Sequence, residues 1–272
     1  MKPLSAWPLE ERRQLIGVFT DIDDTLTTNG AITPDALQAL SDLKAAGLHV
    51  IPITGRPIGW CEPFARGDAV VGIAPWPVDA IVAENGAVAF ARNPPHRLSK
   101  IYQQPEATRA LNFARMQQVA AQVLRGVPGT ALSQDSPGRE TDIAIDHSEF
   151  THLPPDKIAE VVQLMQSAGM KATVSSIHIN AWFGDHNKLE GARWIVRALF
   201  GRHLDGEIDQ WAYVGDSAND QIMFQHFSNS VGVANIRLFE ADLTHPPRFI
   251  TPRERGAGFA EVARAILQAR RP

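Results

Sequence analysis

The acidic side chains best suited to chemistry follow the first apolar run of the sequence. Residues 15–20 predict a buried strand, and Asp21 and Asp23 come directly after it. Residues i and i+2 of an extended chain point the same way. Both carboxylates can therefore project from the strand's carboxyl end, where open α/β sheets bind ligands. Close carboxylates repel unless one is protonated or both share a cation. Since Mg²⁺ suits oxygen ligands and also binds phosphate, the pair indicates a metal site for phosphate chemistry, with a solvated acidic turn as the alternative.

A hydroxyl and a glycine follow the next apolar run. Residues 48–53 predict a second strand, and Thr54, Gly55 and Arg56 come after it. A hydroxyl and backbone N–H groups at a strand end can hold a phosphate oxygen. Because a Thr-Gly turn between a strand and a helix is common, this segment alone does not separate a phosphate site from an ordinary turn.

A second acidic group and a lysine lie in the last third. Asp216, Asn219 and Asp220 follow residues 211–214, a further predicted strand, so Asp216 is placed to complete a metal site. The alternative, a capped helix start, explains one acid but not both together with Asn219. Lys188 is predicted at the start of a helix, where the dipole disfavours a cation unless an anion lies nearby. A phosphate and aspartates would supply that anion; a solvated surface lysine is the alternative.

The elements that position these residues alternate between strand and helix in both flanking thirds. This alternation is typical of a doubly wound parallel sheet. The middle third predicts helices over residues 106–124 and 156–168 and strands over 141–146, 171–175 and 177–182. We therefore predict an α/β fold. Its Rossmann-like core, a doubly wound parallel sheet, comprises residues 1–90 and 181–272, and an α/β domain is inserted at 91–180.

Composition excludes several classes of protein. With 272 residues, about two domains are expected, and 44% apolar and 21% charged residues argue against a disordered, fibrous or membrane protein. A net charge of −4 gives no global field for nucleic acid or anionic lipid, and the sequence carries no signal for an oligomeric state. The lone cysteine, Cys61, allows neither an internal disulfide nor a cysteine metal cluster and fits a reducing compartment. Since the first 14 residues also lack the apolar core of a signal peptide, we expect a cytoplasmic protein.

The order of these motifs resembles that of the haloacid dehalogenase superfamily of aspartyl-phosphate phosphohydrolases. Its four motifs are matched, in order, by Asp21 with Asp23, Thr54, Lys188, and Asp216 with Asp220. The resemblance covers about residues 15–90 and 180–269. The insertion between the second and third motifs looks like the type C2 cap, subtype B, of subfamily IIB, which includes Cof-like and sucrose-phosphate phosphatases. Glu84-Asn85-Gly86 is typical of that group, whereas Asp24 departs from the commoner glycine.

The resemblance implies a Mg²⁺-dependent phosphatase that works through an aspartyl-phosphate. Asp21 would be the nucleophile and Asp23 the acid and base. Three groups would hold Mg²⁺, namely the Asp21 carboxylate, the Asp23 backbone carbonyl and the Asp216 carboxylate, and Asp220 would support them from behind. The groups expected to neutralise the phosphoryl oxygens are Thr54, Gly55, Lys188 and Asn219.

The substrate itself is expected to be a small phosphorylated metabolite, with a sugar phosphate favoured by the resemblance. Candidate contacts are polar residues in or near the cap: Arg56, Asn85, Arg139, Asp142, His178 and Asn180. Alternatives are a surface ion pair between Arg139 and Glu140 and a purely structural His178. Two other functions stay open: a phosphosugar mutase on the same scaffold, and a non-catalytic phospho-acceptor module such as a receiver domain. The inserted domain argues against the receiver, which needs only one small domain.

Overall fold

The computed structural model describes residues 1–93 and 97–270 of the chain. The α-helices of these residues are α1 (Leu9–Arg13), α2 (Pro34–Ala45), α3 (Ile58–Arg66), α4 (Glu106–Gly126), α5 (Pro155–Ser167), α6 (Lys188–Phe200), α7 (Gln221–His226) and α8 (Arg255–Ala269). The strands are β1 (Lys2–Pro3), β2 (Gly17–Thr20), β3 (Thr27–Thr28), β4 (Ala31–Ile32), β5 (His49–Pro52), β6 (Ala80–Ala83), β7 (Val88–Asn93), β8 (Arg97–Tyr102), β9 (Ala131–Leu132), β10 (Ile143–Asp146), β11 (Lys171–Val174), β12 (His178–Trp182), β13 (Trp211–Gly215), β14 (Asn229–Gly232) and β15 (Phe249–Ile250).

A parallel sheet forms the centre of the molecule. Its strand order is β1-β15-β14-β13-β2-β5, and every neighbouring pair is parallel. A parallel bridge between Ile53 and Val82 places β6 beside β5, and β7 and β8 continue outward as antiparallel strands. The central strands β2 and β13 are buried along their whole length, as their apolar runs predict for a sheet covered on both faces.

Helices cover both faces of this sheet. One face packs against α2 and α8 through a cluster that includes Leu40, Leu43, Phe259, Val262 and Ile266. The other face packs against α6 and α7 through Ile195, Val196, Met223 and Phe224 together with Trp211 and Tyr213 from β13. The predicted fold class, a doubly wound parallel α/β sheet, is confirmed.

A second, antiparallel sheet has its own hydrophobic core. Its strand order is β11-β12-β10-β9, and α4 and α5 cover one face with Met116, Val123, Val161 and Met165. This is the small sheet with two helices that the middle third predicts, and we call it the cap. Residue 91, the predicted start of the inserted domain, lies within β7, which pairs with β6 and β8, and α4 is the first helix that packs on the cap sheet. The division of the chain into two domains stays a prediction.

The chain does not enter a regular helix directly after β13. Residues Ala218–Asp220 form a 3₁₀ turn before α7 begins at Gln221. Asp220 and Ser217 form a capping box, in which each side chain bonds the other's backbone N–H. This tight turn holds the Asp220 carboxylate beneath the end of β13. Among the described residues, no helix has both the length and the apolar character needed to cross a membrane.

Candidate active site

The carboxyl ends of three neighbouring strands bring the predicted motifs together. Asp21 follows β2 and its backbone N–H donates to Val214 O of β13 at 2.8 Å. Thr54 follows β5, and its N–H donates to Val82 O of β6 at 2.9 Å. Asp216 follows β13, which lies directly beside β2. Parallel strands end at the same edge of the sheet, so motifs about 200 residues apart in the sequence meet here.

Lys188 joins the first and fourth motifs from the start of α6. Its ammonium donates to Asp21 Oδ1 at 2.7 Å and to Asp220 Oδ1 at 2.6 Å, and its side chain is 2% exposed. Burial alone would lower the pKa of this amine, but the two carboxylates outweigh burial and raise the pKa above its usual value. Asn187 caps the helix by accepting from the Glu190 N–H at 3.0 Å, which fixes the point from which the lysine reaches inward. Lys188 is therefore a fixed, permanently charged group.

Three buried carboxylates surround this ammonium. One oxygen from each of Asp21, Asp216 and Asp220 lies within 4.8 Å of the other two. Burial raises the pKa of Asp21 to about 7 against the opposing effect of Lys188. Burial, and then the neighbouring Asp21, raises the pKa of Asp216 well above its usual value. The single positive charge of Lys188 does not neutralise three buried carboxylates, whereas a divalent cation bound beside them would supply the missing positive charge.

The bonds of these carboxylates separate a metal ligand from a supporting group. Asp220 is occupied: it accepts from Lys188, from the Tyr213 hydroxyl and from the backbone N–H groups of Asp216 and Ser217. The oxygens of Asp216 have only long contacts, at 3.4 Å to Thr25 and 3.3 Å to Asn235. These contacts leave the Asp216 carboxylate free to bind a cation.

All of the groups that donate hydrogen bonds to Asp220 belong to the core. The donor set of Asp21 and Asp216 fits Mg²⁺, which takes carboxylate oxygens.

Arg56 links the second predicted acid to the cap. Its guanidinium donates to Asp23 at 2.9–3.1 Å, to Asp135 at 3.0 Å and to Glu149 at 2.8 Å. Glu149 also bonds the His178 ring Nε2 at 2.9 Å. The hydrogen bond from His178, followed by those from Arg56, holds the pKa of Glu149 at about 2 despite partial burial. Arg56 thus connects the core to two cap carboxylates, Asp135 and Glu149, that no sequence motif singles out.

A second set of buried bonds joins the cap to the backbone at Gly55. The Gly55 carbonyl accepts from Arg139 Nη1 at 2.9 Å and from Asn180 Nδ2 at 3.2 Å. Both donors also bond Asp142, at 2.8 and 3.0 Å, and burial raises the pKa of this acid to about 7 despite Arg139. The alternative of a surface ion pair between Arg139 and Glu140 is wrong, because Arg139 is buried and Glu140 instead bonds Lys100 and Tyr102.

Glu84 makes a third link between the two parts. Its fully buried carboxylate accepts from the Ile58 N–H at the start of α3 and, across the interface, from the Glu140 and Thr141 N–H groups and the Thr141 hydroxyl. Burial raises its pKa against these bonds. Nearby, the backbones of core and cap approach each other closely with no side chain between them. A Cβ added to Gly59 of α3 would lie only 2.8 Å from the Cα of Gly138.

The cap closes a small cavity over Asp21. Its volume is about 10 Å³, room for about one water molecule. The predicted site residues that line it are Asp21, Asp23, Thr54, Gly55, Arg56, His178, Asn180 and Asn219. Sequence reasoning missed the other lining residues, Ser175, Ser176, Ile177 and Ser217, of which only Ser217 has a signal, since it lies inside the fourth motif. Of the predicted substrate contacts, Asn85, Arg139 and Asp142 do not line this cavity, and Arg139 donates instead to Asp142 and to the Gly55 carbonyl.

A comparison with models of known protein families gives a match over the first part of the chain. Residues 18–126 match the family model described as haloacid dehalogenase-like hydrolase. Over this part of the chain the sequence is similar to haloacid dehalogenase-like hydrolases, in agreement with the predicted family and hydrolase class. No curated protein matches the sequence.

Three solved structures share the fold of this chain. One is a putative HAD/Cof-like hydrolase from Plasmodium vivax, with TM-score 0.68, 15% identity and coverage of 96% of this chain and 99% of that one. Another is the sucrose-phosphatase from Synechocystis in complex with sucrose and phosphate, with TM-score 0.64, 15% identity and coverage of 93% and 98%. A third is a subclass IIB sugar phosphatase, with TM-score 0.59, 17% identity and coverage of 91% and 97%.

Asp24, which stands where glycine is commoner in the first motif, has a structural explanation. Asp24 adopts φ +53°, the left-handed region that glycine enters most easily and that aspartate tolerates better than most residues. Its carboxylate pairs with Arg255 at 3.0 Å, which holds the side chain in place. Asp24 therefore keeps the turn that presents Asp21 and Asp23.

Proposed function

We propose that the protein is a Mg²⁺-dependent phosphatase that hydrolyses a small phosphorylated metabolite, a sugar phosphate, through an aspartyl-phosphate intermediate. The observation that carries this proposal is the position of Asp21, a buried carboxylate oriented by Lys188 at the floor of the closed cavity. The phosphatases among the structural relatives support the reaction class, and the sugar phosphatases among them support the substrate class.

Asp21 is the nucleophile in this proposal. Lys188 holds Oδ1, so Oδ2 attacks phosphorus, the bond from phosphorus to the substrate oxygen breaks, and its electron pair leaves with that oxygen. Asp23 gives the leaving oxygen its proton. Asp23 then takes a proton from water as the water oxygen attacks phosphorus, which releases phosphate and restores the Asp21 carboxylate.

The phosphoryl oxygens are held by groups of the core. Thr54 and the Gly55 N–H stand at the end of β5, Lys188 supplies a fixed positive charge, and Asn219 lines the cavity from the fourth motif. Asp21, the backbone carbonyl of Asp23 and Asp216 would hold Mg²⁺, with Asp220 fixing Lys188 and the loop after β13. Bound there, Mg²⁺ would neutralise phosphoryl charge and orient the ester.

Entry of a substrate into this cavity requires the cap to move away from the core. A volume of about 10 Å³ does not admit a phosphate ester, so substrate enters while the contacts of Arg56 and Arg139 across the interface are broken. Reclosure then removes water from the reacting groups, which strengthens their electrostatic effect on the phosphoryl group.

Phosphate release tests the proposal. Wild-type protein is assayed with p-nitrophenyl phosphate and a panel of sugar phosphates, with Mg²⁺ and with EDTA. Asp21→Asn should lose at least about a thousandfold in kcat because an amide oxygen does not form the intermediate. Asp42→Asn, at an exposed position of α2, is the matched control and should retain activity.

Product analysis separates the alternatives. Free phosphate indicates a hydrolase, whereas an isomerised phosphosugar would indicate a mutase, and a stable phosphoprotein without turnover would indicate a phospho-acceptor module. A folded Asp21→Asn protein with near-normal turnover would exclude Asp21 as the nucleophile.

A further inference from the structure

A second, larger pocket opens beside the closed cavity. It lies between β11 of the cap and the turn after β13, with a volume of about 340 Å³. We call it the outer pocket; its lining includes Asn85, Thr173, Trp182, Lys188, Asn219 and Gln221. Asn219 also lines the closed cavity, and Lys188 bonds the floor residue Asp21. The outer pocket therefore shares Asn219 with the closed cavity and borders Lys188, two of the groups proposed above to hold the phosphoryl oxygens.

Two buried polar atoms of this lining have no hydrogen-bond partner among the described residues. They are Asn85 Nδ2, on a side chain 2% exposed, and Thr173 Oγ1 on β11. Buried donors and acceptors are nearly always paired in folded proteins. An amide donor from the core and a hydroxyl from the cap, both unpaired in one pocket, fit a ligand that carries hydroxyl groups.

The backbone at Asn85 is held in an uncommon conformation. Asn85 has φ +56°, and its N–H donates to Thr54 O at 2.9 Å. A non-glycine residue in the left-handed region persists only where its surroundings enforce it, and such residues cluster at ligand sites. Here the conformation sets the Asn85 amide next to the second motif, at the inner end of the outer pocket.

The charged residues around the outer pocket restrict the chemical class of its ligand. Among the described lining residues, Lys188 is the charged one, and its ammonium is already bonded to Asp21 and Asp220. A second anionic group of a substrate would find no unpaired cation in this pocket. In the closed cavity, Arg56 is also already paired, with Asp23, Asp135 and Glu149.

Resting on the function proposed above, we propose that the outer pocket binds the uncharged, hydroxyl-bearing part of the phosphorylated substrate. Thr173 and Asn85 are its hydrogen-bonding groups, and Thr173 is a residue that determines specificity. The substrate class is thereby a phosphate monoester of a neutral sugar or polyol, and phosphorylated carboxylic acids are disfavoured. A pocket built to bond a hydroxyl discriminates against analogues that lack it, because its own polar groups then stay unpaired.

The test measures binding and so does not depend on turnover. Full-length protein carrying Asp21→Asn is titrated by calorimetry with the 6-phosphates of glucose, mannose and fructose, with phenyl phosphate, and with 3-phosphoglycerate. We expect at least one hexose phosphate to bind more tightly than phenyl phosphate, and 3-phosphoglycerate not to do so. Adding Thr173→Val should lower the ratio of hexose phosphate affinity to phenyl phosphate affinity about three- to tenfold, the loss of one hydrogen bond.

Two further variants control for a structural effect. Thr173→Ser keeps the hydroxyl and should retain the ratio, and Thr108→Val removes an exposed hydroxyl from α4 and should also retain it. An unchanged ratio in Thr173→Val, an equal fall in Thr173→Ser, or no hexose phosphate binding above phenyl phosphate overturns the inference. Absence of phosphate release by the wild type would instead refute the phosphatase proposal, and the binding ratio would still decide the role of the outer pocket.

Discussion

Replacing Arg56 by methionine should strongly reduce the stability of the protein. The guanidinium is 6% exposed and pairs with Asp23, Asp135 and Glu149 at 2.8–3.0 Å. Methionine keeps much of the apolar stem but removes the cation that pairs with Asp23. Asp135 and Glu149 each lose one of two partners, since Asp135 also pairs with Arg139 at 3.2 Å and Glu149 with His178 at 2.9 Å. Removal of one partner from a buried ion pair costs about 3–5 kcal/mol, a large part of a total stability of about 5–15 kcal/mol.

Urea unfolding followed by tryptophan fluorescence measures this loss. With a slope of about 3 kcal/mol per molar urea, the midpoint should fall by roughly 1–2 M. Arg66→Met is the matched control, because Arg66 pairs with Glu62 at 2.7 Å while both side chains are about half exposed. That exposed pair should contribute at most about 1 kcal/mol. If both variants lose the same stability, the buried network around Arg56 does not hold the cap on the core.

Three further changes test individual groups. Asp23→Asn should slow hydrolysis of an alkyl sugar phosphate by about 100-fold or more and of p-nitrophenyl phosphate much less, because a good leaving group needs no proton; equal losses in kcat would contradict the acid role. Asp216→Ala should raise the Mg²⁺ concentration for half-maximal activity at least about tenfold, since it removes one carboxylate ligand; an unchanged value in a Mg²⁺ titration would place the metal elsewhere. Glu149 has a pKa of about 2 in the folded state against an ordinary 4.5, so it stabilises the fold fully above about pH 4.5 and loses that effect as the pH falls towards 2; between about pH 5 and pH 3, urea midpoints should fall more for the wild type than for Glu149→Gln, and parallel falls would refute this.

The sequence predicted the fold and the core site because both depend on local patterns. Buried strands such as β2 and β13 appear as short apolar runs, and Asp21 and Asp216 follow those runs directly. Once the strands are parallel and adjacent, the sheet itself brings the two acids together. Lys188 was predictable for a related reason, since its place at a helix start calls for an anionic neighbour.

The contacts between core and cap could not be predicted in the same way. Asp135 and Glu149 lie 79 and 93 residues from Arg56 in the sequence, and neither belongs to a periodic pattern. Their pairing depends on how the cap sits on the core. The same holds for Arg139, which was expected to face the substrate but bonds Gly55 O and Asp142. Whether a polar cap residue meets ligand or protein is decided by tertiary packing, which residue type and spacing do not encode.

The contact between Gly59 and Gly138 limits how closely the cap can approach the core. Because backbone meets backbone there, the cap has no side chain to compress and cannot move further inward. The clearance above Asp21 in this closed arrangement, about 10 Å³, is therefore the smallest that the two backbones allow. Because a phosphate ester is larger than this clearance, the two glycines must lie further apart when the cap covers a substrate. A side chain at either glycine would hold the two backbones apart in the same way without any substrate, since a Cβ there would lie 2.8 or 3.2 Å from the opposite Cα.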